Sequence, residues 1–448
     1  MTNTRSDKEV KAALRSLTSG LDMTYEQILS TAAQRYPKRV EEMKEILELL
    51  VLVGGMPCVA IAEQLSIGPE DTCLDRDNIV TDPEDLITPL SQLVSITRSA
   101  HDGRTYARLS HFTVAEFLTS DATKTKGDAS QFHVNHMDAH TRMLCKYLQY
   151  LAFSDFDNIS PAVALQKYDL LSHAALSWPR HLRFSRIWVR SPSQFKERVL
   201  PYLDWFTSRD VSNSRFYFWR AVYSMKVAPF GASYLWHPLA FSIAQGLGCL
   251  VDIILPQITQ GNLDARFERG HTCLTIAAST NQLNLAKHLL DGGANVDTST
   301  ANRGLTPLHI AAERGFEAMV ALLLNAGASP HVRSNSGSTP LYRAARGGSV
   351  PILCQLHDAG SEIDALTWDG WTPLMEAVEH GNGEAVELLL GWGADPTNMS
   401  KYGTTVLELA PRAGLEAVIR DAIERWNTKK REQPDQGVAA PVSPSFVH

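Results

Sequence analysis

A chain of 448 residues with a formal net charge of −7 is long enough for two or three domains with ample buried core, and its charge argues against general binding to nucleic acid or to an acidic membrane surface. Six cysteines, Cys58, Cys73, Cys145, Cys249, Cys273 and Cys354, are scattered without a C-x-x-C pair, which favours reduced thiols in a cytosolic or nuclear protein. The opening residues are too polar for a signal peptide. The longest uncharged apolar run, Leu49 to Ala62, is 14 residues and is broken by Gly54, Gly55 and Pro57, so no membrane span is expected.

Residues 1–20 read as a polar tip and a short helix, Lys8 to Leu17. A domain over 21–122 follows. Tyr25 to Leu29 begins one helix, Val40 to Val53 places Met43, Ile46, Leu47, Leu50 and Val53 at helical spacing, and Pro57 to Leu65 gives another. Beyond a polar loop at 68–81, Pro83 opens an expected helix, Asp82 to Val94, carrying Leu86, Leu90 and Leu93. Val94–Thr97 and Tyr106–Ser110 are expected to pair as a hairpin across Asp102 and Gly103. Helices and then a hairpin is the order of a winged-helix domain. Its recognition helix would be Asp82 to Val94, which carries Asp82, Glu84 and Asp85 and no basic residue, so direct DNA binding is not expected; Arg98, Arg104 and Arg108 on the hairpin are the argument for it.

Residues 123–234 read as a helical connector rich in aromatics, Tyr147, Tyr150, Trp178, Trp188, Trp205, Phe206, Phe216, Tyr217, Phe218, Trp219 and Tyr223, whose large rings suit packing between helices. His133, His136 and His140 with Cys145 admit a shared metal-binding face or a solvated helix start; no second ligand pair with finger-like spacing supports a closed site.

Three stretches of this front half carry a resemblance. Leu14-Arg-Ser-Leu-Thr-Ser-Gly-Leu-Asp-Met-Thr-Tyr-Glu-Gln-Ile-Leu29 resembles the segment after the nucleotide-binding domain of fungal NOD-like (NACHT-type) receptors. Leu109-Ser-His-Phe-Thr-Val-Ala-Glu-Phe-Leu118 resembles the end of their winged-helix region, and His173-Ala-Ala-Leu-Ser-Trp-Pro-Arg-His181 the W-x-x-H stretch before their repeat arrays. Such receptors carry a phosphate-binding G-x-x-x-x-G-K-[ST] loop, and no such sequence occurs here. The resemblance therefore implies the rear half of a receptor, without its ATPase motor.

From 235 to 427 one phrase recurs about every 33 residues. Gly270, Gly304, Gly337, Gly370 and Gly403 each open G-x-T-x-L, and a second ladder, Gly315, Gly348, Gly381 and Gly414, and a third, Gly293, Gly327, Gly360 and Gly393, keep the same beat. In one copy Thr306 is placed to cap a helix, Pro307 suits its first turn, and Leu308, Ile310 and Ala311 supply a thin packing face; Thr339-Pro340 and Thr372-Pro373 repeat the pattern. Met319, Val320, Leu322, Leu323 and Leu324 give a second helix, closed by Gly327. No such unit buries its apolar face alone, so six copies, starting near 235, 270, 304, 337, 370 and 403, must stack.

Thr306-Pro-Leu-His-Ile-Ala-Ala312 closely resembles the ankyrin repeat signature. The resemblance implies a stack of helix pairs with projecting hairpins that binds other proteins and does not catalyse. The outer copies depart from it: the first has His237-Pro-Leu239, and the last places Pro411 in its first helix and Arg420, Asp421, Glu424 and Arg425 in its second, which suits end caps facing water. Residues 428–448 turn polar and then Pro/Ser/Ala-rich, an expected disordered tail. Lys429-Lys-Arg431 within it admits a minimal nuclear import signal or a solvated helix end.

For catalysis there is no G-x-S-x-G, no H-E-x-x-H and no recognisable Cys–His pair, and Gly246-Leu-Gly248 is not a dinucleotide fingerprint, so neither catalytic residues nor a cofactor are expected. The hairpin tips are freer to serve a partner than the stack is. They read Asn302, Arg303 and Leu305; Asn335, Ser336 and Ser338; Trp368, Asp369 and Trp371; Lys401, Tyr402 and Thr404. The candidate partner-binding set is Arg303, Leu305, Asn335, Trp368, Asp369, Trp371 and Tyr402, rimmed on the inner helices by Arg343, Arg346, Glu376, Glu379 and His380, unless Trp368 and Trp371 fold back onto neighbouring copies.

The expectation is a mainly α protein: a winged-helix-like front, a helical connector and a six-copy ankyrin stack holding a protein partner on its concave face. It would act inside the cell, in cytoplasm or nucleus, as a non-enzymatic scaffold or regulator. Alternatives are a transcription co-regulator, possibly tied to a fungal secondary-metabolite gene cluster, and a motor-less NACHT-type fragment pairing with an ATPase in trans.

Overall fold

The computed structural model describes residues 7–432 apart from 77–78, 81, 83, 122, 208–213, 228–236, 259–262 and 268–269, so most of the expected tail lies outside the described residues. The chain divides into two compact units, 1–232 and 233–448.

The first unit opens with a single helix, Asp7–Arg35, where two separate helices with a boundary near 20 were expected. Gly20 weakens a helix by only about 1 kcal/mol. Tyr25 anchors the same helix further on, its ring 5.6 Å from Phe117 and its hydroxyl 2.7 Å from Thr113 Oγ1, so tertiary packing carries the helix through. The next helix, Val40–Val53, ends where Gly54 takes a left-handed φ of 84° and its N–H bonds the Leu50 carbonyl.

Three strands follow, β1 Gly55–Pro57, β2 Val94–Arg98 and β3 Thr105–Leu109, in the antiparallel order β1-β3-β2, with Met56 opposite Ala107. The hairpin forms where the sequence places it. The helix expected over Asp82–Val94 does not: its described residues run as turns and a 3-10 turn, Thr88–Leu90, before β2 begins at Val94. Pro89 explains this, because its ring removes an N–H and crowds the preceding turn in the middle of the would-be helix. Leu86, Leu90 and Leu93 are buried all the same.

Helices His136–Leu151 and Leu171–Ser185 pack along one another. Trp178 lies 5.3 Å from Phe206 and 6.0 Å from Trp219, all fully buried, and Trp219 Nε1 donates to the Ala175 carbonyl at 3.0 Å. No division falls at the expected boundary near 122. Lys146 Nζ reaches Glu45 Oε1 at 2.6 Å, Arg142 Nε reaches Glu48 Oε2 at 2.9 Å, and Glu63 accepts bonds from Tyr150 Oη and the Leu170 N–H, so residues before and after 122 share one core. A cavity of about 610 Å³, lined by Lys44, Glu45, Glu48, Arg142 and Lys146 among others, is crossed by these ion pairs, which clamp the helices together.

Among the described residues the second unit shows six helix pairs: Pro238–Ala244 with Gly248–Ile258, Cys273–Ser279 with Leu283–Asp291, Pro307–Glu313 with Glu317–Asn325, Pro340–Gly347 with Val350–Asp358, Pro373–Glu379 with Gly383–Gly391, and Val406–Ala413 with Glu416–Glu432. First helices pack on first helices of the adjoining copy, and from the second copy to the fifth second helices pack on second helices. Thr272, Thr306, Thr339, Thr372 and Thr405 each cap a first helix by accepting the N–H three residues on; His237 Nδ1 accepts from Leu239 N at 3.2 Å in the first copy. Pro307, Pro340 and Pro373 stand in the first turns, where no N–H is needed. The last helix continues to Glu432, beyond the expected boundary at 427. Glu416–Arg420 and Asp421–Arg425, each four residues apart, support it on an exposed surface.

Candidate functional site

The strip of hairpin tips is built by the glycines. Gly270, Gly304, Gly337, Gly370 and Gly403 occupy equivalent places with φ of 71°, 64°, 79°, 79° and 83°, the left-handed conformation each tip turn requires. Each tip closes on itself: Thr300 N donates to Leu305 O, Ser334 N to Ser338 O, Thr367 N to Trp371 O and Ser400 N to Thr404 O, all at 2.9–3.0 Å. The same four hydroxyl residues accept back, from Leu305, Ser338, Trp371 and Thr404 N–H at 3.0–3.2 Å. The sequence signal for these clamps is the Ser or Thr that recurs three or four residues before each tip glycine, at Thr300, Ser334, Thr367 and Ser400.

Each tip also bonds the one before it. Ala301 N donates to Gly270 O at 3.2 Å, Asn335 N to Arg303 O at 2.9 Å, Trp368 N to Ser336 O at 3.0 Å and Lys401 N to Asp369 O at 2.9 Å. The tips are therefore one continuous surface over five copies, held by main-chain bonds that leave the side chains of Arg303, Asn335, Trp368, Asp369 and Tyr402 exposed. Trp368 is 54% and Tyr402 79% exposed. The Arg333 guanidinium lies 5.7 Å from the Trp368 ring centre.

Four expected site residues, Leu305, Trp371, Arg343 and Glu376, face elsewhere. Leu305 is only 6% exposed, because the residue after each glycine turns back under its own tip toward the capping threonine. Trp371, the equivalent residue two copies on, is half-buried for the same reason. Arg343 is 9% exposed and ties copies together, Nε to Ser338 Oγ at 3.1 Å and Nη1 to Glu313 Oε2 at 3.4 Å. Arg346, Glu379 and His380 are exposed on the inner helices. Beside them buried Glu376 accepts the Tyr342 hydroxyl at 2.6 Å, and His380 Nδ1 lies 3.0 Å from the Glu376 main-chain carbonyl. Burial, then this bond to Glu376, holds the Tyr342 phenol protonated well above its ordinary range.

His309 of the signature is a brace. Its Nδ1 lies 2.8 Å from Thr306 Oγ1 and its Nε2 3.0 Å from the Ser338 carbonyl of the next copy, so Nε2 carries the proton. Burial pushes its pKa down to about 4, which keeps it neutral. His309→Ala is expected to destabilise this unit by about 2 kcal/mol through the lost bonds and the void, read as a lower urea midpoint. The front-half histidines take no metal arrangement: among the described residues no group of three or more His, Cys, Asp or Glu is placed to hold an ion. His140 turns inward instead, its Nδ1 2.8 Å from His181 Nδ1.

A stack of capped helix pairs with an exposed ladder of tips defines a helical-repeat protein whose available surface is its hairpins and inner helices. The copies are ankyrin repeats: the family model described as "Ankyrin repeats (3 copies)" matches residues 239–334 and 327–400. The chain is similar to "Azaphilone pigments biosynthesis cluster protein L" of Monascus ruber, 27% identical over 206 residues, covering 44% of this chain and 42% of that protein. It is also similar to the "Nuclear factor NF-kappa-B p105 subunit" of Gallus gallus, 41% identical over 93 residues, 20% of this chain and 9% of that one. A third likeness is to "Putative E3 ubiquitin-protein ligase XBAT35" of Arabidopsis thaliana, 42% identical over 74 residues, 16% of each chain. The chain thus spans less than half the length of each of these relatives. Ankyrin repeats bind protein partners, and among the described residues no helix is long and apolar enough to cross a membrane.

Proposed function

We propose that this is a non-enzymatic intracellular scaffold or regulator that holds a protein partner across the tips of its third to sixth repeats. The observation that carries the reading is Trp368 and Tyr402, two large rings left in water on consecutive tips of a unit that buries most of its helix apolar residues. Such rings, once desolvated, dominate interface energies. Replacing both with alanine is expected to lower unfolding free energy by no more than about 1.5 kcal/mol, since both rings are more than half exposed and only Trp368 rests on the preceding tip, against Gly337 and Arg333, while weakening capture of the partner from native extract by about 100-fold. A loss of several kcal/mol in stability would assign the rings to packing and end the reading.

A second reading draws on the likeness to a fungal pigment-cluster protein: a transcription co-regulator working in the nucleus and linked to secondary metabolism. A third follows from the resemblance of the front unit to NACHT-type receptors, with a winged-helix-like region that pairs with an ATPase in trans. Co-purification separates them. A transcription factor or chromatin protein supports the second and an ATPase the third.

A further inference from the structure

We infer that the tips bind an acidic segment of a partner protein, with carboxylates on both sides of a bulky apolar anchor. The inference rests on the reading above and adds the chemistry of the partner. Along the hairpins exposure alternates. Ser334, Thr367 and Ser400 are buried in their turns, while the residues on either side of each, Arg333 and Asn335, Leu366 and Trp368, Met399 and Lys401, are exposed. The tip-to-tip bonds set these in register, so two rows cross the repeats: Arg333, Leu366, Met399 and Asn335, Trp368, Lys401.

Each row is apolar in part and basic at one end. Leu366 and Met399, 45% and 62% exposed, join Trp368 and Tyr402 in an apolar centre over the fifth and sixth copies. Over 300–305, 333–338, 366–371 and 399–404 the cations are Arg303, Arg333 and Lys401, and the one carboxylate is Asp369. Arg333 is engaged within the protein: its Nη1 donates to the Leu366 carbonyl at 2.5 Å, Glu362 lies 3.8 Å away, and the guanidinium faces the Trp368 ring. The side chains of Arg303 and Lys401 make no hydrogen bond or ion pair among the described residues. An apolar centre flanked by unpaired cations attracts a segment of opposite charge, adding rate and specificity to the contact area of the rings. Repeats stack about 10 Å apart, and an extended chain covers about 3.3 Å per residue. The partner's carboxylates therefore stand roughly three to six residues from its anchor.

The test uses the full chain, immobilised, and a display library of random short peptides. The expected result is an enriched set with Asp or Glu on both sides of a Trp, Phe or Leu. A peptide from that set should bind about 30-fold or more weakly to W368A/Y402A and about 10-fold more weakly to R303E/K401E, and should lose affinity as salt rises. Circular dichroism on both variants confirms that each is folded. Neutral or basic peptides that depend on the two rings would overturn the acidic partner and leave the tips as the binding face. Acidic peptides indifferent to both variants, or no enrichment over W368A/Y402A, would overturn this inference together with the choice of face.

Discussion

Gly337→Ala is expected to lower the unfolding free energy of the repeat unit by about 3 kcal/mol, against about 1 kcal/mol for Gly403→Ala. Both glycines have a left-handed φ, 79° and 83°, so both substitutions incur the same backbone strain. What differs is the space. A methyl at Gly337 would lie 2.7 Å from the Trp368 N and 2.8 Å from its ring, whereas nothing lies within 4 Å of Gly403. Trp368 N is committed to the Ser336 carbonyl, so the clash is relieved only by prying the fifth tip off the fourth. Urea unfolding of the two variants isolates the close approach from the strain. Equal losses would show that the tips are not held together as a ladder. Because the displaced residue is Trp368, Gly337→Ala should also weaken partner binding under conditions where the unit remains folded.

The repeat region was legible because its determinants are local. A cap threonine, a proline in the first turn and a glycine at a left-handed position each act within a few residues, and copying made them visible. The exposure of the tip residues was less so. Leu305 and Trp371 belong to the same stretch of sequence as Arg303 and Trp368, but which side of a tight turn faces inward depends on the hydroxyl clamps at Thr300 and Thr367. Arg343 looks like a surface cation in the sequence; only the neighbouring Glu313 and Ser338, some thirty and five residues away, make it a brace. In the front unit Pro89 was a local signal against the helix at 82–94 and was outweighed there by the spacing of Leu86, Leu90 and Leu93. The clamp of Glu45, Glu48 and Glu63 onto residues beyond 140 has no local signature at all, because its partners are 87 to 107 residues apart.

Acidification should unfold the front unit through its histidines. His140 and His181 are buried with their Nδ1 atoms 2.8 Å apart, and His173 sits with the Tyr147 ring edge on against it, 5.5 Å away. Burial is the leading cause that pushes their pKa values down to about 4, 3 and 4, with the Arg180 charge adding to it in each case and His136 also bearing on His140. An unfolded histidine titrates near 6.5. The unfolded state therefore takes up protons first as pH falls, and the stability these groups leave intact above about 6.5 is lost progressively toward 4. At pH 5 each site is expected to forfeit roughly 2 kcal/mol, or about 5 kcal/mol for three coupled sites, a large share of a typical domain's stability. Glu63 works the other way: burial raises its pKa, so its protonation at low pH relieves part of the loss. His140→Leu/His181→Leu removes both members of the pair, so no donor or acceptor is orphaned, and its stability at pH 7 should stay within about 1 kcal/mol of the parent. Its dependence on pH between 6.5 and 4.5 should fall by about two protons' worth, roughly 2.7 kcal/mol per pH unit at the steepest point. An unchanged slope would move the acid-sensitive element away from this pair, leaving His173 and the carboxylate clamps to account for it.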